Sequence, residues 1–95
     1  MNLYDNQKIL NLAIETYGEA PQKLMLIEEM AELTKEICKN FRGKNNKTEI
    51  TEEIADVLIM IEQIKIILGI TDKDVMQTMN YKIERLEERL NKKFN

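Results

Sequence analysis

Histidine is absent from this chain, and cysteine and proline occur once each. Lacking histidine, the chain cannot supply the Glu-x-x-His ligands of the carboxylate-bridged di-iron bundles. The single thiol, Cys38, forms no intrachain disulfide and suits a reducing compartment. One proline and three glycines leave few interruptions among Glu, Lys, Leu, Ile and Met, all strong helix formers. Long hydrophobic runs are missing too: the longest, Val57 to Ile61, is far too short to span a bilayer. No basic segment followed by an apolar core and a cleavage site opens the sequence, so no signal peptide is expected. A basic excess is also lacking. The net charge of −3 works against a nucleic-acid surface, though a bound cation can reverse the local sign for a small anionic ligand. The expectation is a cytoplasmic protein that meets neither membrane nor nucleic acid.

What is present is 43% hydrophobic residues and a charged fraction of mixed sign, which argues against disorder. Ninety-five residues make a single domain, 1–95, too small to bury much of its own surface, so help from oligomerisation is expected. Apolar spacing predicts a first helix from about Leu3 to Tyr17, ended by Gly18. Pro21 suits the first turn of a second helix, which carries Ile27, Met30, Ala31, Leu33, Ile37, Cys38 and Phe41 on one face up to Phe41. Gly43 to Lys47 is a polar, basic loop. Thr48 is expected to cap a third helix that ends before Gly69. Thr71 and Asp74 have capping-box spacing for a fourth helix, running to about Lys92. Nothing predicts a strand. The fold class is all-α, a four-helix antiparallel bundle completed by homo-oligomerisation.

Helix three breaks its own pattern. Ile50, Ile54, Val57, Leu58, Ile61, Ile64 and Leu68 form a broad apolar face, yet Glu53 falls inside it and Asp56 on its margin. An unpaired carboxylate there costs several kcal/mol, about the scale set for buried unpaired charge. Three residues apart, the two acids are neighbours on the helix surface and repel each other unless a cation lies between them. Helix two offers Glu28, Glu29 and Glu32 in a similar grouping. Oxygen-only ligands from two antiparallel helices suit a hard cation such as Mg2+, which often bridges carboxylates to substrate phosphates. Two blander readings stand beside this one. The helix-two acids can be solvated surface, and Glu53 and Asp56 can pair with a Lys or Arg from helix four.

The segments IEEMAEL (Ile27 to Leu33) and EEIADVLIM (Glu52 to Met60), in that order across a basic linker, closely resemble the MazG-like all-α nucleoside triphosphate pyrophosphohydrolases. That signature is EExxE followed by ExxD. The resemblance also takes in YGEAPQKL, KNFRGK and KIERLEERL, nearly the whole chain. It implies Mg2+-dependent hydrolysis, with Mn2+ a possible substitute, of nucleoside or deoxynucleoside triphosphates to monophosphate and pyrophosphate in nucleotide-pool cleansing. It implies metal ligation by Glu29, Glu32, Glu53 and Asp56. Glu28 would belong to the same acidic cluster, as a ligand to a second ion or as a base that orients water. Homodimers or tetramers are implied as well.

A triphosphate needs cationic partners besides the metal. Lys82, Arg85 and Arg89 form a stripe on helix four beside Met79, Ile83, Leu86 and Leu90, and Lys82 and Arg85 are the expected phosphate contacts. The alternative is pairing with Glu84, Glu87 and Glu88 or with acids on a neighbouring helix. Lys35 and Lys39 are expected to pair with Glu32 and Glu36. Ala55, Ile59 and Ile66 give helix three a second apolar line, which needs a second partner. The competing functions are a helical interaction module zipped through helix four and a family member that binds nucleotides without turnover.

Overall fold

Helix formers run almost unbroken along the chain, and the backbone follows them. The computed structural model describes residues 6–94 and, among them, four helices and no strand: α1 (Gln7–Tyr17), α2 (Glu19–Phe41), α3 (Lys47–Leu68) and α4 (Asp72–Phe94). The expected start of helix one near Leu3 lies outside the described residues.

Each boundary has a local cause. Gly18 adopts φ 93°, a conformation that side chains disfavour, so α1 and α2 meet at a one-residue corner. Pro21 lies in the first turn of α2, where its missing N–H breaks no helical bond. Gly69, left-handed at φ 69°, closes α3. The capping box of α4 forms as expected: the Asp74 N–H donates to Thr71 Oγ1 at 3.0 Å, and the Thr71 N–H to Asp74 Oδ2 at 3.3 Å.

The start of α3 differs from expectation. Asn46, not Thr48, takes the cap position, and Thr48 lies inside the first turn. Asn46 turns its amide away from the helix end and is buried. Its Nδ2 donates to the Glu36 carbonyl at 2.9 Å and to Glu36 Oε1 at 3.3 Å, tying the loop to the last turns of α2. Lys39 lies 3.2 Å from the Glu36 carboxylate. That lysine contact holds the Glu36 carboxyl below its ordinary value, and the Asn46 bond adds to the effect. A lowered folded pKa contributes stability above the ordinary carboxylate value, which is lost as pH falls through the folded one. Asn46→Ala leaves the Glu36 acceptors without this donor. A loss of about 1–3 kcal/mol is expected in urea unfolding.

Packing is concentrated in one hairpin. Helices α2 and α3 run antiparallel, joined at the far end by Gln22 Nε2 donating to Gln63 Oε1 at 2.6 Å, and α1 lies against both. The buried hydrophobic residues among those described are Leu10, Val57 and Met60. The apolar face of α2 is largely open: Leu33 is half-buried, while Ile27, Met30, Ala31, Ile37, Cys38 and Phe41 are exposed. The reason is that α2 covers Gln22, Glu29 and Glu36, with Leu26 and Leu33 between them, and turns the rest of its apolar residues outward.

Helix α4 packs along none of the other three, and Met79, Ile83, Leu86 and Leu90 are exposed. The radius of gyration of 16.6 Å exceeds the value of about 12 Å for a compact chain of this length. No helix among the described residues is long and apolar enough to cross a membrane.

Candidate metal centre

The α2–α3 seam repeats. Gln22, Glu29 and Glu36 stand seven residues apart on α2, a spacing that drifts only about 20° around a helix per step. Facing them are Gln63, the Glu53/Asp56 pair and Asn46. The outer two rungs are closed by hydrogen bonds. In the middle rung Glu53 touches Glu29 but leaves one carboxylate oxygen, Oε2, without a partner.

There, Glu29, Glu53 and Asp56 each offer a carboxylate oxygen, and these oxygens all lie within 4.8 Å of one another. Helical geometry explains the grouping: Glu53 and Asp56 are one turn apart on α3, and antiparallel pairing brings Glu29 opposite. Glu53 and Glu29 are half-buried, while Asp56 opens to solvent. Glu53 Oε2 is buried with no hydrogen-bond partner. Burial pushes the Glu29 carboxyl above its ordinary value, and the charges of Asp56 and then Glu53 push it further. No ion pair among the described residues joins a lysine or arginine to any of the three, so the structural alternative of neutralisation from helix four is not what the chain adopts. A hard divalent cation fits this donor set: carboxylate oxygens only, converging, partly open to water, and one of them lacking any other partner.

The remaining expected residues lie elsewhere. Glu32 is exposed and 4.0 Å from Lys35, one turn along from Glu29, and its charge also raises the Glu29 pKa. Glu28 is exposed and outside the group. Lys82, Arg85 and Arg89 together line a shallow cleft of about 270 Å³ on α4, with the Arg85 guanidinium 5.8 Å from the centre of the Tyr81 ring.

Besides the Asn46–Glu36 bond, two polar features are not evident in the sequence. One is the Gln22–Gln63 bond, which the seven-residue spacing to Glu29 and Asp56 could have signalled. The other is Lys65, which bridges Glu62 at 2.7 Å and Asp72 and ties the end of α3 to the start of α4. Contact with Asp72, then with Glu62, raises the Lys65 pKa.

The model of one protein family, described as the MazG nucleotide pyrophosphohydrolase domain, matches residues 19–91. That span contains α2, α3, the carboxylate cluster and the basic stripe of α4. Comparison with curated proteins and with solved structures gave no match.

Proposed function

Because the chain belongs to the MazG nucleotide pyrophosphohydrolase family, we propose that it hydrolyses nucleoside triphosphates, ribo- or deoxyribo-, to the monophosphate and pyrophosphate with Mg2+ held between α2 and α3. The single observation that carries this reading is the buried, unpartnered Glu53 Oε2 facing the carboxylates of Glu29 and Asp56. In such a cluster the acids destabilise one another until a cation joins them. Glu29, Glu53 and Asp56 are the core ligands. Glu32, one turn from Glu29 and held by an exposed ion pair, has the length to swing inward and complete the set; pairs of that kind are worth little. Glu28 belongs with them by its place in the EExxE motif. A bound divalent cation neutralises phosphate charge and lowers the pKa of a coordinated water. A water gives up a proton to a carboxylate of the acidic cluster as its oxygen bonds to the α-phosphorus; the bond from that phosphorus to the bridging oxygen breaks, and pyrophosphate leaves with that bond's electron pair.

Lys82 and Arg85 are assigned to the phosphates, and the fold suggests how they arrive. Asp56 stands thirteen residues before Gly69, and Arg85 fourteen after Thr71. In a closed hairpin the two would be level, but α4 diverges from α3. A second copy of the chain, laying its own α4 on the open side of α2 and α3, brings the basic stripe level with the carboxylates. It also covers Met79, Ile83, Leu86 and Leu90, which makes a homodimer, or a dimer of dimers, the working form. The domain is taken as 1–95, acting in the cytoplasm in nucleotide-pool cleansing, without nucleic-acid partners.

A pyrophosphate-release screen over common and modified nucleoside triphosphates with Mg2+ or Mn2+ tests the reading. Turnover of at least one, lost in Asp56→Asn, is expected. No turnover of any of them contradicts it and leaves an interaction module or a binding-only member.

A further inference from the structure

We infer that the cleft at the α1–α2 corner seats the base of the nucleotide whose phosphates go to the carboxylate cluster, an inference that rests on the pyrophosphohydrolase reading above. Tyr17, Pro21, Gln22 and Met25 line a cavity of about 350 Å³, at the small end of the range for small-molecule pockets.

Gln22 lies seven residues before Glu29 on α2, and its partner Gln63 lies seven after Asp56 on α3. The amide rung and the carboxylate rung therefore share one seam, two turns or about 10 Å apart. Met25 stands between them, one turn from each. A ribose and its first phosphate bridge such a gap.

Among the described residues, those lining the cleft carry no carboxylate and no amine, so it suits the uncharged end of a nucleotide, while the charged end finds the acids and their metal. The Tyr17 ring is 66% exposed and so takes little part in the core. It offers an aromatic face for stacking, a contact tolerant of base identity. Met25 adds a polarisable thioether beside it. Gln22 is only 7% exposed, and its bond to Gln63 at 2.6 Å fixes the plane of the amide. A fixed amide next to a stacking ring is an arrangement that reads the edge of a planar heterocycle. Gly18 at φ 93° turns the chain directly after Tyr17, a conformation that L side chains rarely adopt.

The test compares wild type with Tyr17→Ala and Tyr17→Phe. KM and kcat are measured for nucleoside triphosphates, along with the inhibition constant of inorganic tripolyphosphate, which has phosphates but no base. Tyr17→Ala is expected to raise KM about tenfold or more, with kcat moving less and tripolyphosphate inhibition unchanged. Tyr17→Phe, which keeps the ring, restores KM. An unchanged KM in Tyr17→Ala, or an equal weakening of tripolyphosphate, overturns the base seat while leaving the hydrolysis reading intact. Calorimetry with an α,β-methylene nucleoside triphosphate and Mg2+ separates the two claims if wild type turns nothing over. Affinity that depends on Tyr17 keeps the base seat when hydrolysis has failed, and affinity indifferent to Tyr17, or no binding, removes it.

Discussion

Glu53→Gln is expected to raise the melting temperature of the metal-free protein, to erase its rise with Mg2+, and to abolish pyrophosphate release. These three effects come from one site. In the metal-free chain Glu53 places a buried oxygen without a hydrogen-bond partner beside two other carboxylates. Replacing that charge with a neutral amide of the same shape removes repulsion and introduces a donor for Glu29 or Asp56. Metal binding has the opposite dependence. A ligand that binds only the folded state at a hundred times its dissociation constant adds about 2.7 kcal/mol. For a domain of this size that corresponds to a rise of about 10 °C or more. The amide is a poorer ligand, so Glu53→Gln should show little of that rise. Loss of a ligand should cost at least as much as loss of a group behind one, about 10- to 100-fold in affinity or activity. Thermal unfolding at fixed protein concentration, with and without Mg2+, measures the first two effects. A destabilised metal-free variant that still gains stability with Mg2+ would place the cation elsewhere.

Mixing two inactive variants should restore activity. Glu53→Gln removes a metal ligand and Arg85→Ala a phosphate contact, and each alone is expected to be nearly inactive. If α4 of one copy serves the carboxylates of the other, a mixed dimer has one site with both defects and one with neither. Random exchange at equal amounts then gives about a quarter of wild-type turnover, by the arithmetic of two-fold symmetric pairing. If Arg85 instead served the carboxylates of its own chain, each site in a mixed dimer would carry one defect and mixing would recover nothing. The open α4 motivates the experiment: Met79, Ile83, Leu86 and Leu90 are exposed, the helix packs along no other, and three buried hydrophobic side chains among the described residues are a slender core.

Much of this was legible in the residues. Glu53 stood out because its charge interrupts an apolar face, a conflict that periodicity exposes directly. Gly18, Gly69 and the Thr71/Asp74 pair marked helix ends because their backbone chemistry is local. The cap of α3 was misread because Asn46 is held by Glu36, ten residues away, and a contact across a hairpin outweighs the local preference of Thr48. The apolar face of α2 is legible as a face, but what covers it is not: Ile27, Ile37 and Phe41 are exposed in this chain. Periodicity reports that a surface seeks cover, not which chain supplies it. The polar seam was hidden for another reason. Gln22, Glu29 and Glu36 each look like ordinary surface residues, and only their shared seven-residue step, set against Gln63 and Asp56, shows that they line one contact.

The most direct measurement of the cation between α2 and α3 is an electron paramagnetic resonance titration of Mn2+ into the protein. Wild type should remove the free-ion signal in proportion to its carboxylate sites, Mg2+ should compete it back, and Glu53→Gln should leave the signal near that of free Mn2+. An undiminished free-ion signal with wild type, or equal binding by the variant, would contradict the account.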